Sequence, residues 1–269
     1  MRKIPSVLTI AGSDPSGGAG IQADIKTISA HQCYAYSIIT AITAQSNSTF
    51  FSTFPIPPSI VEEQFHAVLQ DQMPDVIKIG MIYHPKTISL LANILQKKRP
   101  KWLIVDPVIE SSSGRSLITP EGFHILKTEL LPLANIITPN LSEARYLLNL
   151  EKPFSPTLKH FKDLQFSPDQ FIVLTNGDCS DNNIVDMLYQ PAQEEIIEYA
   201  HPTLETKHSH GTGCTFSSAL AANLAKGTPI KQAFTNSINY VTNAIKHANR
   251  WIWLPSLGPL DHFYDFRKE

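Results

Sequence analysis

Ser209-His210-Gly211-Thr212-Gly213-Cys214-Thr215 runs straight into Phe216-Ser217-Ser218-Ala219-Leu220-Ala221-Ala222, a small and apolar stretch without proline. This pattern predicts a buried helix that opens on a Gly-Thr-Gly turn. The first amides of a helix lack internal partners and, together with the axial dipole, form a site for an anion. Gly211 and Gly213 let the backbone come close to that anion and take positive φ. Cys214 falls in the first turn, where the dipole lowers a thiol's pKa. An anion hole beside such a group suits transfer of a charged group. The same residues also suit an ordinary helix with a glycine-rich start and one packed cysteine, as short motifs do in general.

Two carboxylates extend the chemistry. Asp106 follows the apolar run Trp102-Leu103-Ile104-Val105 and precedes Pro107, and Glu143 stands three residues after Asn140. A pair of this kind can hold a hydrated Mg²⁺, which prefers oxygen ligands and keeps several waters. Alone, Asp106 reads as a turn residue and Glu143 as a favourable charge at a helix start. Beside an anion hole they become parts of a phosphoryl-transfer site, in which positioning and charge neutralisation carry most of the catalysis.

Other motifs fall away. Gly18-Ala19-Gly20-Ile21-Gln22-Ala23 has dinucleotide-fingerprint spacing, but no Asp or Glu occurs from Ile25 to Val61, where the ribose contact belongs. Gly12 to Gly17 has P-loop spacing, yet Gly18-Ala19 stands where Lys-Ser/Thr would meet phosphate and Mg²⁺. His208 and His210 have no third ligand at recognisable spacing, so they read as solvated loop histidines. Met81 suits either a ring contact or the core, and Trp251, Trp253 and Leu254 read as packing.

These groups need a scaffold, and strand and helix patterns alternate along the chain. Val7 to Ala11, Ala35 to Ala44, Val76 to Ile79, Trp102 to Val105, Ile136-Ile137 and Phe171 to Leu174 read as strands. Helical patterns follow Gly20, Ser59 (with capping-box spacing to Glu62), Lys86, Pro120 and Asn140, and two more begin after Gly211 and at Pro229. Ser46 to Pro58 reads as a loop or flap. Ile184 to Tyr189 and Glu195 to Tyr199 read as an edge hairpin. The whole predicts one domain over 1–269, a three-layer α/β/α fold with a mainly parallel central sheet. Ligands in such sheets bind beyond the carboxyl ends of the strands. Gly12-Ser13-Asp14, Gln45, Gly80-Met81, Asp106, Asn140 and Thr175-Asn176-Gly177 all stand there, although strand-to-helix turns call for such residues anyway.

Composition narrows the partners. With 269 residues, 42% hydrophobic, and a net charge of −2, the chain can bury a large core but offers no electrostatic case for nucleic acid or anionic membrane. Cys33, Cys179 and Cys214 form no disulfide framework, which favours a reducing, cytoplasmic setting. The apolar start is broken by Pro5 and Thr9 and fits no signal peptide, and no apolar run reaches the roughly 18 residues of a membrane span.

AGSDPSGGAGIQADIK over 11–26, TAITAQ over 40–45, KIGM over 78–81, VDPV over 105–108, ITPNLSEA over 137–144 and HGTGCT over 210–215 closely resemble the hydroxymethylpyrimidine/phosphomethylpyrimidine kinases of thiamine biosynthesis. These form a branch of the ribokinase-like superfamily. The resemblance implies a ribokinase-like fold, a homodimer, and ATP with Mg²⁺, a monovalent cation being an added candidate. It places the pyrimidine near Asp24, Gln45, Met81 and Val108. It assigns the nucleotide to Asn140 and Thr175 and the metal to Asp106 and Glu143. It makes Gly211, Thr212, Gly213 and Cys214 the catalytic turn, with Cys214 helping to deprotonate the hydroxymethyl group. The chain departs from the family in three places. Thr175-Asn176-Gly177 replaces Lys-Gly-Gly, removing a cation near the nucleotide. Ile109, Ser112, Ser113 and Gly114 replace a segment with methionine and Lys or Thr, and His208 replaces asparagine. Pyridoxal or pyridoxine kinase, a non-catalytic pyrimidine sensor, and a thiol hydrolase built on Cys214 are the competing readings.

Overall fold

The computed structural model of the chain describes residues 3–46, 49–111, 114–151, 153–180, 183–250 and 258–267. Trp251, Trp253 and Leu254 lie outside them, as do Ser112 and Ser113.

In chain order the elements are β1 (Ser6–Ser13), α1 (Gly20–Ala30), β2 (Tyr34–Gln45), β3 (Phe50–Pro55), α2 (Pro58–Asp71), β4 (Val76–Ile79), α3 (Pro85–Lys97), β5 (Trp102–Val105), α4 (Pro120–Ile125), β6 (Ile136–Ile137), α5 (Leu141–Leu147), α6 (Leu158–Leu164), β7 (Phe171–Ser180), β8 (Asn183–Gln190), β9 (Glu195–Pro202), α7 (Thr212–Ala225) and α8 (Ile230–Ala248). One sheet takes the order β3-β2-β1-β4-β5-β6-β7-β8-β9. The six central strands, β2, β1, β4, β5, β6 and β7, pair in parallel, and β3, β8 and β9 add antiparallel edges.

Strand alternation builds the layers. Leu8, Ile10, Ile77, Ile79, Leu103 and Val105 pack with Val61, Phe65, Ile88 and Leu91 of α2 and α3. Their sequence neighbours Val7, Val76 and Ile104 pack with Ile28, Phe216, Leu220 and Phe234 of α1, α7 and α8. Successive side chains leave opposite faces of a strand, so each apolar run serves both layers at once. The expected α/β/α architecture with an edge hairpin is what forms, and β7 continues beside β8 to make that edge three-stranded.

Three local expectations are corrected. Ser46 to Pro58 is not simply a loop, because Phe50–Pro55 pairs with the end of β2, Ile42 opposite Phe54 and Thr43 opposite Thr53. Aromatic and β-branched partners across the pair outweigh the proline punctuation. The Ser59–Glu62 capping box is absent, since α2 begins at Pro58, whose fixed φ suits a first helical position. The short helix α6 was not predicted; it starts after Thr157, whose hydroxyl meets His160 Nδ1 at 2.9 Å.

Candidate active site

The carboxyl ends of the parallel strands open into a cleft of about 590 Å³. The glycine-rich turn lies at its centre. Gly211 caps α7 in the left-handed region (φ 86°), and a Cβ there would stand 1.8 Å from the Gly18 carbonyl oxygen. Only glycine therefore lets this turn nest against the first loop. A Cβ on Gly213 would meet nothing within 4 Å, so that backbone faces open space. The amides of Gly213 and Cys214 find no acceptor among the described residues. Gly211, Thr212, Gly213 and Cys214 all line the cleft.

The first loop is tied to this turn. Asp14 Oδ2 accepts from the Ala19 amide at 2.8 Å and lies 2.8 Å from His210 Nε2, while Oδ1 accepts from the Ser16 amide. Burial alone would raise the Asp14 pKa, but His210, Ser16 and Ala19 hold it down at about 2. His208 and His210, expected in solvent, are each only 9% exposed. The loop they share folds inward against Gly18 and Gly258. Sequence reasoning missed His210, and its direct neighbourhood to Gly211 was the available signal.

Asp106 and Glu143 both line the cleft and are buried. Ser217, one turn into α7, donates to Asp106 Oδ2 at 3.0 Å. Asn140 and Glu143 form a reciprocal capping box at the start of α5, each side chain 2.9 Å from the other's amide. Burial raises the Asp106 pKa, with Lys78 opposing. Burial, and then the charge of Asp106, lift Glu143 well above the usual carboxylate range. Two buried carboxylates, Glu143 raised further by the charge of Asp106, are a donor set that a hard cation would relieve.

Gln45, Met81 and Val108 line the other end of the cleft, where Met81 joins Ala41 and Leu117 in a small apolar cluster flanked by Phe50 and Val108. Asp24 does not line it. It is fully buried below, held by Lys78 Nζ at 2.9 Å on both oxygens and by Ser218 Oγ at 2.7 Å. The expectation that Asp24 meets a substrate is therefore corrected. A fully buried carboxylate needs a cation and hydrogen bonds of its own, and Asp24 spends its lone pairs on them. Burial works against the Lys78 charge, but Asp24, with Cys214 and Asp106 beyond, keeps its pKa above the usual value.

The thiol is corrected as well. Cys214 sits in the first turn of α7, but burial pushes its pKa up to about 12, with Asp24 and Asp106 adding to the rise against Lys78. Desolvation of the thiolate outweighs the helix dipole.

Thr175 and Asn176 line the cleft next to Asn140, which bridges Thr175. Beyond them lies an apolar arm that sequence reasoning missed. It is formed by Phe216, Pro202, Leu204 and, on α8, Ile238, Val241 and Ile245. The spacing i, i+3, i+7 on the last helix was a readable sign of a common face.

Comparison with known proteins bears on this arrangement. The family model described as phosphomethylpyrimidine kinase matches residues 14–253. The hydroxymethylpyrimidine/phosphomethylpyrimidine kinase of Bacillus subtilis is 37% identical over 263 residues, 97% of this chain and 95% of its own length. The chloroplastic thiamine biosynthetic bifunctional enzyme TH1 of Arabidopsis thaliana is 37% identical over all of this chain, which spans 52% of that relative. The chain likewise spans about half the length of other bifunctional relatives. Among solved structures, phosphomethylpyrimidine kinase from Clostridium difficile is 39% identical with a TM-score of 0.75, covering 90% of this chain and all of that one. An ADP complex of Bacillus subtilis pyridoxal kinase is 32% identical with a TM-score of 0.85, covering 97% and 98%. The matched span takes in the Gly17–Gly20 and Gly211–Gly213 turns, Asp106, Glu143 and the apolar face of α8, and the chain belongs to the phosphomethylpyrimidine kinase family.

Proposed function

We propose that residues 1–269 act as one cytoplasmic kinase domain that transfers a phosphoryl group from ATP to 4-amino-5-hydroxymethyl-2-methylpyrimidine, and then to the resulting monophosphate. One observation carries this reading. The open N-terminus of α7 lines the same cleft as Gln45 and the small apolar cluster around Met81. The ring lies between Met81 and Val108, with Gln45 supplying hydrogen bonds. Adenine takes the apolar arm beside α8, and Asn140 and Thr175 border the phosphates.

The Gly213 and Cys214 amides receive the charge on the moving phosphoryl. Such fixed donors need no reorganisation as charge develops. Asp106 and Glu143 suit Mg²⁺, which when bound would neutralise phosphate charge. Ser217 and the Asn140–Glu143 capping box fix where these two carboxylates point. Lys78 and Asp24 anchor α7 from beneath. Because its thiol pKa is raised, Cys214 orients the acceptor oxygen rather than standing ready as a base. A loose transition state asks for little deprotonation before the new O–P bond forms.

A homodimer through the β3 edge accompanies this reading. Phe51, Phe54 and Ile42 are 65%, 64% and 50% exposed there, at the open end of the sheet.

The test is incubation with the hydroxymethylpyrimidine and Mg-ATP, followed by mass measurement of the products. One or two added phosphates are expected, and no phosphorylated product would overturn the assignment. The likeness to pyridoxal kinase favours a second reading, phosphorylation of a pyridine alcohol. Comparison of kcat/KM for the two alcohols ranks them.

A further inference from the structure

A nucleoside triphosphate is a polyanion, yet the described residues lining the cleft include five carboxylates, Asp14, Asp106, Glu110, Glu143 and Asp186, and no lysine or arginine. The basic side chains among them are His201 and His210. His210 is engaged by Asp14 beneath the first loop.

His201 stands apart, on β9. Two residues before it, the Tyr199 hydroxyl donates to Asn239 of α8 at 3.0 Å, so both side chains leave the α8 face of the sheet. Asp186 of β8 holds the imidazole, with Oδ2 at 3.1 Å from Nε2. The other oxygen of Asp186 accepts from the Asn176 amide at 2.8 Å. Asp186 is 6% exposed and Asn176 adopts φ 54°, so the bend after β7 is locked onto this carboxylate. Contacts thus run from Asn140 through Thr175, Asn176 and Asp186 to His201. Pro202, which follows His201 directly, and Leu204, three residues on, belong to the apolar arm. The imidazole therefore stands where the chain passes from the phosphate end of the cleft to the base end.

We infer that His201, oriented by Asp186, binds the phosphate chain of the nucleotide in a cleft whose described lining holds no lysine or arginine. The inference rests on the kinase reading above. With Nε2 turned to Asp186, Nδ1 remains for the ligand, and it has no partner among the described residues. An N–H at Nδ1 donates to a phosphate oxygen, a hydrogen bond that the charge of the anion strengthens.

The test compares wild type, His201→Gln and His201→Lys in steady-state turnover with ATP varied, and in binding of inorganic tripolyphosphate and of adenosine followed by thermal shift. His201→Gln should raise the KM for ATP and weaken tripolyphosphate binding by roughly tenfold, leaving kcat and adenosine binding within about twofold. His201→Lys should restore both affinities. Unchanged tripolyphosphate binding in His201→Gln, or a loss confined to adenosine, overturns the inference. If His201→Gln unfolds, His201→Asn takes its place in the same comparison. Absence of turnover in the wild type fails the kinase reading and leaves tripolyphosphate binding to judge His201.

Discussion

His210 Nε2 lies 2.8 Å from Asp14 Oδ2, across 196 positions of sequence, and this contact joins the two glycine-rich turns of the cleft. The pair is nearly buried, at 9% and 2% exposure, so each partner depends on the other. Breaking a buried pair by removing one member leaves an uncompensated polar group, at a cost of about 3–5 kcal/mol.

Asp14→Asn should therefore destabilise the protein at neutral pH, and the penalty should shrink in acid. The Asp14 pKa is depressed to about 2 from an ordinary 3.8. The unfolded chain takes up the proton first, so this stabilisation is complete above pH 4 and is lost as pH falls toward 2. Its size is about 2 kcal/mol by that linkage. Urea titrations of both proteins at several pH values measure it, and a pH-independent gap would remove the ion pair from the account.

The two glycines of the turn should respond oppositely. Gly211→Ala places a Cβ against the Gly18 carbonyl at positive φ, so a large loss of folding stability is expected. Gly213→Ala has room and should leave the melting temperature within a degree or two. Its methyl group points into the space proposed for the phosphoryl, so kcat/KM for ATP should drop at least tenfold, as oxyanion-hole losses do. Full activity in Gly213→Ala would move the phosphoryl elsewhere.

Asp106 and Glu143 should make stability depend on pH in the opposite direction to Asp14. Their raised pKa values mean the folded state keeps protons that the unfolded chain has already released. Their contribution to stability thus declines as pH rises from the ordinary carboxylate range through the raised values. Mg²⁺ should offset this decline, giving a larger melting-temperature increase at pH 8 than at pH 5.5. Glu143→Gln should flatten the metal-free profile and abolish the Mg²⁺ effect. An equal Mg²⁺ shift in Glu143→Gln would exclude Glu143 as a metal ligand.

Cys214 should alkylate slowly at neutral pH. With a thiol pKa near 12, the thiolate fraction and the iodoacetamide rate should climb about tenfold per pH unit between pH 7 and 9. A rate that levels off near pH 8 would restore a low pKa. Cys214→Ala should lose less than about 10²-fold in kcat, below the span typical of a general base. A loss near 10⁴-fold would reinstate Cys214 as the proton acceptor.

Local pattern was enough to find much of the cleft's lining. Gly211 to Cys214, Asp106, Asn140 and Glu143 are legible because helix starts and strand ends are specified by neighbouring residues. The alternating strands and helices then predict the rim they share. Even so, β3 was read as a loop, because its pairing partner in β2 supplies the stabilisation that its own prolines oppose.

What folding alone decided is which side chain faces which. Asp24 lies within a run that resembles a substrate motif, yet Lys78 and Ser218, 54 and 194 positions away, draw it under the cleft. Cys214 carries the dipole expected of its position, and the protein packed around it reverses the outcome. His201 and Asp186 acquire meaning only when β8 and β9 place them over Asn176. Desolvation and charge pairing depend on atoms a few ångströms away in space, and sequence separation carries no record of that distance.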